Sequence, residues 1–180
     1  TNGLNRLKVW LERNEGDCPI VDKDARLGSP IARPSKLVCV GLNYAKHAAE
    51  AGMKVPGEPV LFFKSTTAII GPNDDVVIPK NSEKTDWEVE LALVIGKKGS
   101  YIALEDAEDY IAGYVLHNDI SERAFQIEKE GQWCKGKGCD TFAPLGPFLA
   151  TKEEIKNPND LELWLEVNGE RLQPVSYTHL

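Results

Sequence analysis

No stretch of this sequence stays apolar long enough to span a bilayer. No run of Lys or Arg marks a nucleic-acid or anionic-membrane surface either. The charge balance points the other way, with 28 acidic against 21 basic residues, a formal net charge of −7 and a pI near 5.1. Neither nucleic acid nor a membrane is therefore an expected partner. Cys18, Cys39, Cys134 and Cys139 form no C-x-x-C pair and have no histidine close by, which argues against zinc. Reduced thiols in the cytoplasm are the expectation. Internal repeats, low-complexity tracts and a signal-peptide pattern are also missing, although the chain opens at Thr1 without a methionine, which leaves room for a leader upstream. What remains is a chain of 180 residues, enough for one domain with a sizeable core.

The most informative stretch present is Asp86-Trp87-Glu88-Val89-Glu90-Leu91-Ala92-Leu93-Val94-Ile95-Gly96. It reads as a strand with Val89, Leu91, Leu93 and Ile95 on one face and Glu88, Glu90, Ala92 and Val94 on the other. Because the glutamate face continues as apolar residues, the expectation is a central strand rather than a half-buried one with its acids in water. Two neighbouring carboxylates in such a place repel each other and lose hydration, so they require a cation or a proton, and the cation is favoured.

A third acid stands at the end of another strand, Tyr114-Val115-Leu116-His117-Asn118, which runs into Asp119-Ile120-Ser121-Glu122-Arg123. Ser121 has the character of a helix N-cap, with Glu122 in the first turn. Glu88, Glu90 and Asp119 make an all-oxygen set suited to Mg²⁺, or to Mn²⁺ or Ca²⁺. Arg123 and Gln126, three apart, share a helix face that can present a guanidinium fork and an amide to a carboxylate. His47 and Glu50, also three apart on a stretch of helical composition, can pair so that the carboxylate orients the imidazole, the arrangement of a general base. On an isolated short helix the same spacing equally describes a surface ion pair.

Four blocks then occur in order: G-L-N-Y-A-K-H-A-A-E from Gly41, the strand W-E-V-E-L-A-L-V-I-G-K, N-D-I-S-E-R-x-F-Q from Asn118, and W-C-K-G-K-G-C-D-T-F-A-P-L-G-P from Trp133. Together they resemble the fumarylacetoacetate hydrolase family, over about Leu37 to Gln173. The resemblance implies a divalent metal on Glu88, Glu90 and Asp119, a water activated by His47 with Glu50, and Lys137 beside the metal stabilising an enolate. Lys135 is the weaker candidate for that last role. It also implies a small keto acid as substrate, held by Arg123 and Gln126, and a homodimer as the assembly.

The rest of the chain fits around these blocks. Asn2 to Asn14 has helical periodicity, with Leu4, Leu7, Trp10 and Leu11 on one face, and residues 15–36 read as a linker or extended arm. Residues 1–36 are thus expected to be the remnant of an N-terminal segment. Leu37–Val40, Val60–Phe63 and Val76–Ile78 read as strands, with a turn at Gly71–Asp75. Gly52 to Gly57 has the composition of a mobile lid, and Lys64 reads mainly as a snorkelling lysine. Leu104 to Ile111 suggests a short amphipathic helix stopped by Gly113, and Thr151-x-x-Glu154 a capping box. Leu161–Val167, Asn168-Gly169 and Glu170–Gln173 predict a hairpin. Residues 37–173 form the expected catalytic domain, C-terminally incomplete against the family pattern, and residues 174–180 match no family block and read as a non-native tail.

The expected fold is α+β and mainly β: a curled mixed sheet, roll- or barrel-like, with short peripheral helices. The expected activity is that of a Mg²⁺-dependent hydrolase acting on C–C bonds in ketonic substances, here a 2,4-diketo acid of the acylpyruvate or 2,4-diketo-3-deoxy sugar acid type. The alternatives are a 2-hydroxy-dienedioate isomerase or oxaloacetate-type decarboxylase using the same enolate chemistry, a ureidoglycolate lyase, and an inactive binding module.

Overall fold

A computed structural model describes residues 2–43 and 56–176. Helix α1 spans Asn2–Asn14 as its periodicity predicts, yet Leu7, Trp10 and Leu11 on its apolar face are exposed. An irregular arm comes next, and it is seated on the Gly71 turn. Arg26 Nε and Nη2 donate to the two carboxylate oxygens of Asp74 at 2.7 and 2.5 Å, while Asp74 also accepts from the Gly71 N–H at 2.7 Å. One carboxylate thus closes its own turn and clamps the arm to it.

Beyond the arm the chain is built mainly from short strands. β1 (Leu37–Gly41) and β2 (Val60–Lys64) pair antiparallel, with Leu37 opposite Lys64 and Cys39 opposite Phe62. Period-two alternation places Cys39, Phe62 and Lys64 on the inner face and Val38, Val40, Leu61 and Phe63 on the exposed one. β3 (Ile69–Ile70) runs parallel to β8 (Ala143–Pro144). The predicted strand at Val76–Ile78 does not form. Those residues join no ladder, and the Val77 N–H donates to the Thr141 hydroxyl instead at 2.8 Å.

The glutamate stretch is two strands rather than one. β4 (Thr85–Asp86) pairs with β7 (Ser121–Glu122), and β5 (Val89–Ile95) pairs antiparallel with β6 (Ile111–Asn118). Between them the Asn118 side-chain carbonyl accepts from the Glu88 N–H at 3.1 Å, and the Asp119 N–H donates to the Glu88 carbonyl at 2.8 Å. The ladder therefore shifts partner where Glu88 and Asp119 leave the chain. In this sheet β6 is central, flanked by β5 and by β9 (Ala150–Thr151), so the expectation of a central glutamate strand is corrected: among the described residues β5 is an edge, with Leu93 and Ile95 exposed.

Gly113 likewise does not end a helix but lies inside β6, where a Cβ would stand 2.2 Å from the Ala150 carbonyl oxygen of β9. The predicted helix before it is a 3₁₀ segment, Leu104–Tyr110, whose Leu104 is exposed. Only half of the capping box at Thr151 forms: the Thr151 N–H donates to Glu154 at 2.7 Å, but the Glu154 N–H goes to the Thr151 carbonyl, and the contact closes a turn only.

β10 (Glu162–Val167) and β11 (Glu170–Ser176) form the predicted hairpin, with Asn168 and Gly169 both at positive φ, 53° and 84°, as a type I′ turn requires. Pairing continues to Ser176, past the expected domain boundary at Gln173. Leu163 of β10 packs on Val89, with Leu91, Leu161 and Leu165 around them. Burying that face of β5 leaves the glutamate face to look the other way. The whole is mostly β with short helices, and no barrel closes among the described residues. Nor is any helix there long and apolar enough to cross a membrane.

Helix α2 is a single turn, Cys134–Lys137, pressed onto the chain after Asp119. Gly136 makes this contact, because a Cβ there would lie 2.3 Å from the Glu122 carbonyl oxygen and 2.6 Å from the Gln126 nitrogen. Both are backbone atoms that cannot step aside, so the glycine serves close approach rather than mobility. Gly136→Ala should lower stability by about 1–3 kcal/mol in urea unfolding. Gly16→Ala, where nothing lies within 4 Å of the added methyl group, should cost far less.

Candidate active site

The site is an alternating chain of charges. Lys64 Nζ donates to Asp119 Oδ1 at 2.6 Å and to the Ile120 carbonyl at 2.9 Å. Lys137 Nζ bridges Asp119 Oδ2 at 2.9 Å and Glu88 Oε2 at 2.6 Å. Arg123 Nη1 takes the other Glu88 oxygen at 2.6 Å, and its Nη2 and Nε take Asp86 Oδ2 at 2.7 and 2.9 Å. Arg123 Nη1 also donates to Gln126 Oε1 at 3.1 Å. The order is Lys64, Asp119, Lys137, Glu88, Arg123, Asp86, each carboxylate lying between or beside cations.

Local structure explains each placement. Lys64 comes two residues after Phe62 on β2, so it points inward with it, and its ammonium is fully buried. The reading of Lys64 as a snorkelling lysine is corrected on that ground. Lys137 is brought to the acids by the Gly136 contact, and its ammonium also lies 5.0 Å from the centre of the Phe62 ring, a cation–π distance. Phe62 in turn meets Trp133 edge-on at 5.5 Å. Lys135, the weaker candidate, is exposed and donates to the Lys129 carbonyl at 3.1 Å, away from the acids.

Ser121 is not an N-cap, since its hydroxyl turns back to the Asp119 carbonyl at 2.9 Å from within β7. Nor does Glu122 sit in a solvated first turn. It is fully buried, and its Oε1 accepts the Ala124 N–H at 2.9 Å. A π-helical turn, Ala124–Glu128, replaces the expected α-helix and keeps Arg123 and Gln126 on one side.

Electrostatics follow from burial and charge. Burial tends to raise the Asp119 carboxyl, but the Lys64 and Lys137 ammonium groups outweigh it and hold Asp119 below the usual carboxylate range. Burial pushes the Lys64 ammonium down, offset in part by Asp119, which it shares with Lys137. Burial opposes the charge on Arg123, yet Glu88 and Asp86 raise its pKa. Cys39, on the inner face of β1, is pushed up to about 12 by burial, with Asp119 and Glu90 adding to the effect.

Among the described residues no three His, Cys, Asp or Glu groups are arranged as a metal cage, so the expected convergence of Glu88, Glu90 and Asp119 on one point is not seen. Glu88 and Asp119 come together across the Lys137 ammonium instead. In kind the donor set fits a hard divalent cation, because all three offer only oxygen. The chain of ion pairs is itself balanced, with Asp86, Glu88 and Asp119 against Lys64, Lys137 and Arg123. His47, Glu50 and the lid segment 52–55 lie outside the described residues.

His117 was not singled out by the sequence, although it shares a face of β6 with the position of Asp119, two residues on. It stands opposite Glu90 in the ladder and is buried. Nδ1 lies 3.0 Å from the Pro144 carbonyl, so a neutral ring donates there and leaves Nε2 as an acceptor, which finds no partner among the described residues.

Known proteins of similar sequence and fold supply the classification. The family model for the fumarylacetoacetate (FAA) hydrolase C-terminal region matches residues 36–180. The chain belongs to the fumarylacetoacetate hydrolase family. A Burkholderia cenocepacia relative that carries a provisional hydrolase name is 55% identical over 171 residues, 95% of this chain. The chain spans 60% of the length of that relative. Among solved structures, a 5-carboxymethyl-2-hydroxymuconate delta-isomerase from Mycobacterium smegmatis is 45% identical with a TM-score of 0.74, covering 84% of this chain and 59% of that one. A 2-hydroxyhepta-2,4-diene-1,7-dioate isomerase from Mycobacterium marinum is 43% identical with a TM-score of 0.72, covering 84% of this chain and 54% of that one.

His117 sets an acid limit on the fold. Burial holds its pKa down at about 4 against an ordinary 6.5, so the folded ring stays neutral while the unfolded ring takes up a proton. Its contribution is complete above about pH 6.5 and is lost as pH falls toward about 4, at roughly 1.4 kcal/mol per pH unit. Urea unfolding at pH 7.5 and pH 5 should differ by about 2 kcal/mol from this group. His117→Gln should remove most of that difference.

Proposed function

We propose that the protein is a divalent-metal-dependent enzyme that acts on a small 2-keto acid, and that it hydrolyses a C–C bond in a 2,4-diketo acid. The observation that supports this best is the placement of the Lys137 ammonium between Glu88 and Asp119, at 2.6 and 2.9 Å. An ammonium at the carboxylates that would hold the metal is positioned to stabilise negative charge developing on a substrate oxygen beside it. Glu88, Glu90 and Asp119 would hold the cation, Mg²⁺ being the first choice and Mn²⁺ or Ca²⁺ the alternatives. When bound, the cation would supply a Lewis acid and add positive charge to the site, which suits an anionic acid.

The chain's own residues divide the remaining work. Arg123, aimed by Asp86 and Gln126, presents its guanidinium to the substrate carboxylate, with the Gln126 amide beside it. Lys64 keeps Asp119 ionised and fixed in direction, so that Asp119 remains a ligand rather than an acid. The Phe62 ring, backed by Trp133, lies against Lys137 and limits water there. His47, oriented by Glu50, is assigned the proton of the attacking water, and the carbon–carbon bond breaks toward the keto-acid half. A homodimer is the proposed assembly.

The names of the two mycobacterial structures favour a second reading, in which the same residues move a proton between carbons of a 2-hydroxy-dienedioate without hydrolysis. Turnover by the unaltered protein separates the two: acylpyruvate cleavage is expected, and isomerisation of a 2-hydroxy-dienedioate without such cleavage would transfer the assignment to the second reading. Under the hydrolase reading His47→Ala should lower acylpyruvate cleavage about 10²–10⁴-fold, the usual contribution of a general base. Decarboxylation of oxaloacetate as a side reaction should survive the same change. Undiminished acylpyruvate cleavage in the variant would remove His47 from the reaction.

A further inference from the structure

The residue that aims the substrate clamp is Glu122, and we infer that it is a positioning residue for Arg123. This rests on the proposed role of Arg123 in binding a substrate carboxylate.

Glu122 is fully buried and lies between Asp119 and Arg123, but its carboxylate pairs with neither the lysines nor the arginine of the charge chain. Its partners are donors from two segments. Oε2 accepts from the Ser82 hydroxyl, from the Lys84 N–H at 3.0 Å and from the Thr85 hydroxyl at 3.4 Å. Oε1 accepts from the Ala124 N–H at 2.9 Å. The Arg123 N–H donates to the Lys84 carbonyl at 2.9 Å. The peptide on each side of Arg123 is thus tied down, one to Lys84 and the next to Glu122, and Glu122 itself holds Lys84. β4 continues directly from that turn and places Asp86, which takes Arg123 Nε and Nη2. The carboxylate therefore fixes both ends of the guanidinium's support, its own backbone and the acid that orients it.

Only an ionised carboxylate completes this set. Two of the four donors are hydroxyls, which can rotate, but the Lys84 and Ala124 N–H groups cannot, and they fall on different oxygens of Glu122. An amide placed there turns its NH₂ toward one of them whichever way it is flipped, leaving a buried donor unpaired. The same donors hold the Glu122 carboxyl below its usual range against the opposing effect of burial. From the opposite side Gly136 leaves no slack, because its Cα lies close against the Glu122 carbonyl. Loss of the clasp would then release the Lys84 turn and loosen the Arg123 fork, with Lys64, Lys137 and Asp119 still in place.

The test reads carboxylate recognition, so that a general loss of stability cannot mimic it. Binding of acetylpyruvate and of its methyl ester is measured by calorimetry with Mg²⁺ at saturation, every variant carrying His47→Ala so that cleavage is too slow to interfere. The ester keeps the diketone and lacks the charge. Glu122→Gln should weaken acid binding about tenfold and leave the ester within about twofold, collapsing the acid-to-ester preference. Arg123→Ala should collapse it too, and Glu122→Gln should add little in the Arg123→Ala background, since both act through one fork. If Arg123→Ala keeps the preference, the clamp reading falls and this inference with it. If Arg123→Ala abolishes the preference while folded Glu122→Gln retains it, or if the two losses simply add, the inference alone is overturned. Should Glu122→Gln fail to fold, Ser82→Ala removes one hydroxyl donor without burying an unpaired N–H. A severalfold loss of preference there supports the positioning role, and an unchanged preference overturns it.

Discussion

The structure depends on one constraint, the neutralisation of buried acids by side chains from distant parts of the chain. Asp119 is accessible over only 4% of its side chain and Lys137 over 2%, and the Lys64 side chain is fully covered. Each such ion, left alone, would cost several kcal/mol of lost hydration, on the order of what a whole domain has to spare. The chain meets this by alternation. Lys64 comes from β2, Asp119 from the end of β6, Lys137 from α2, Glu88 from the break between β4 and β5, and Arg123 from the turn after β7. The β5–β6 and β4–β7 ladders register Glu88, Asp119 and Arg123 among themselves, and the ion chain ties Lys64 of β2 and Lys137 of α2 to them.

The fold's small strands are shaped around that requirement. A continuous strand from Thr85 to Ile95 would place Glu88 in the ladder. Instead the Asn118 amide takes the Glu88 N–H, the pairing shifts, and the Glu88 carboxylate reaches Lys137 and Arg123 together. β1 and β2 show the same priority from the other side. Their inner face carries a lysine, a thiol and an aromatic ring, while four aliphatic and aromatic side chains, Val38, Val40, Leu61 and Phe63, lie on the exposed face. A surface hairpin read for amphipathicity alone would be placed the wrong way round.

This is also why some of the molecule was legible in the sequence and some was not. Strands whose alternation or turn chemistry is local, β1, β2, β6 and the Asn168-Gly169 hairpin, are readable because two-residue periodicity and positive-φ turn residues act within a few positions. Arg123 and Gln126 are readable for the same reason, since spacing by three survives whether the turn is α or π. Val76–Ile78 fails because strand formation needs a partner, and Thr141 reaches it with a hydroxyl rather than a backbone edge. Ser121 and Glu122 have the composition of a helix start, but Thr85 and Asp86, far upstream, take their backbone into a ladder. Lys64 and His117 were within reach. Each lies two residues from a residue whose burial or role could be inferred, Phe62 and Asp119, and side-chain alternation would have turned both inward. Glu122 was not, because its four donors come from segments whose proximity no local pattern records.

The same geometry accounts for relatives bearing both hydrolase and isomerase names. The charge chain from Lys64 to Asp86 contains nothing that attacks: its groups are fixed ammonium, guanidinium and carboxylate ions, suited to holding an acid and to tolerating negative charge beside it. Stabilising a carbanion next to a carbonyl is common to C–C hydrolysis, decarboxylation and proton transfer between carbons. What separates those reactions is whether a base delivers water to the far carbonyl, and the proposed function gives that duty to residues outside the charge chain, His47 and Glu50. On that proposal, specificity of reaction would change in the segment between β1 and β2 while the acid-holding part stays as it is, the ion chain serving the binding of the keto acid and that one segment deciding what is done to it.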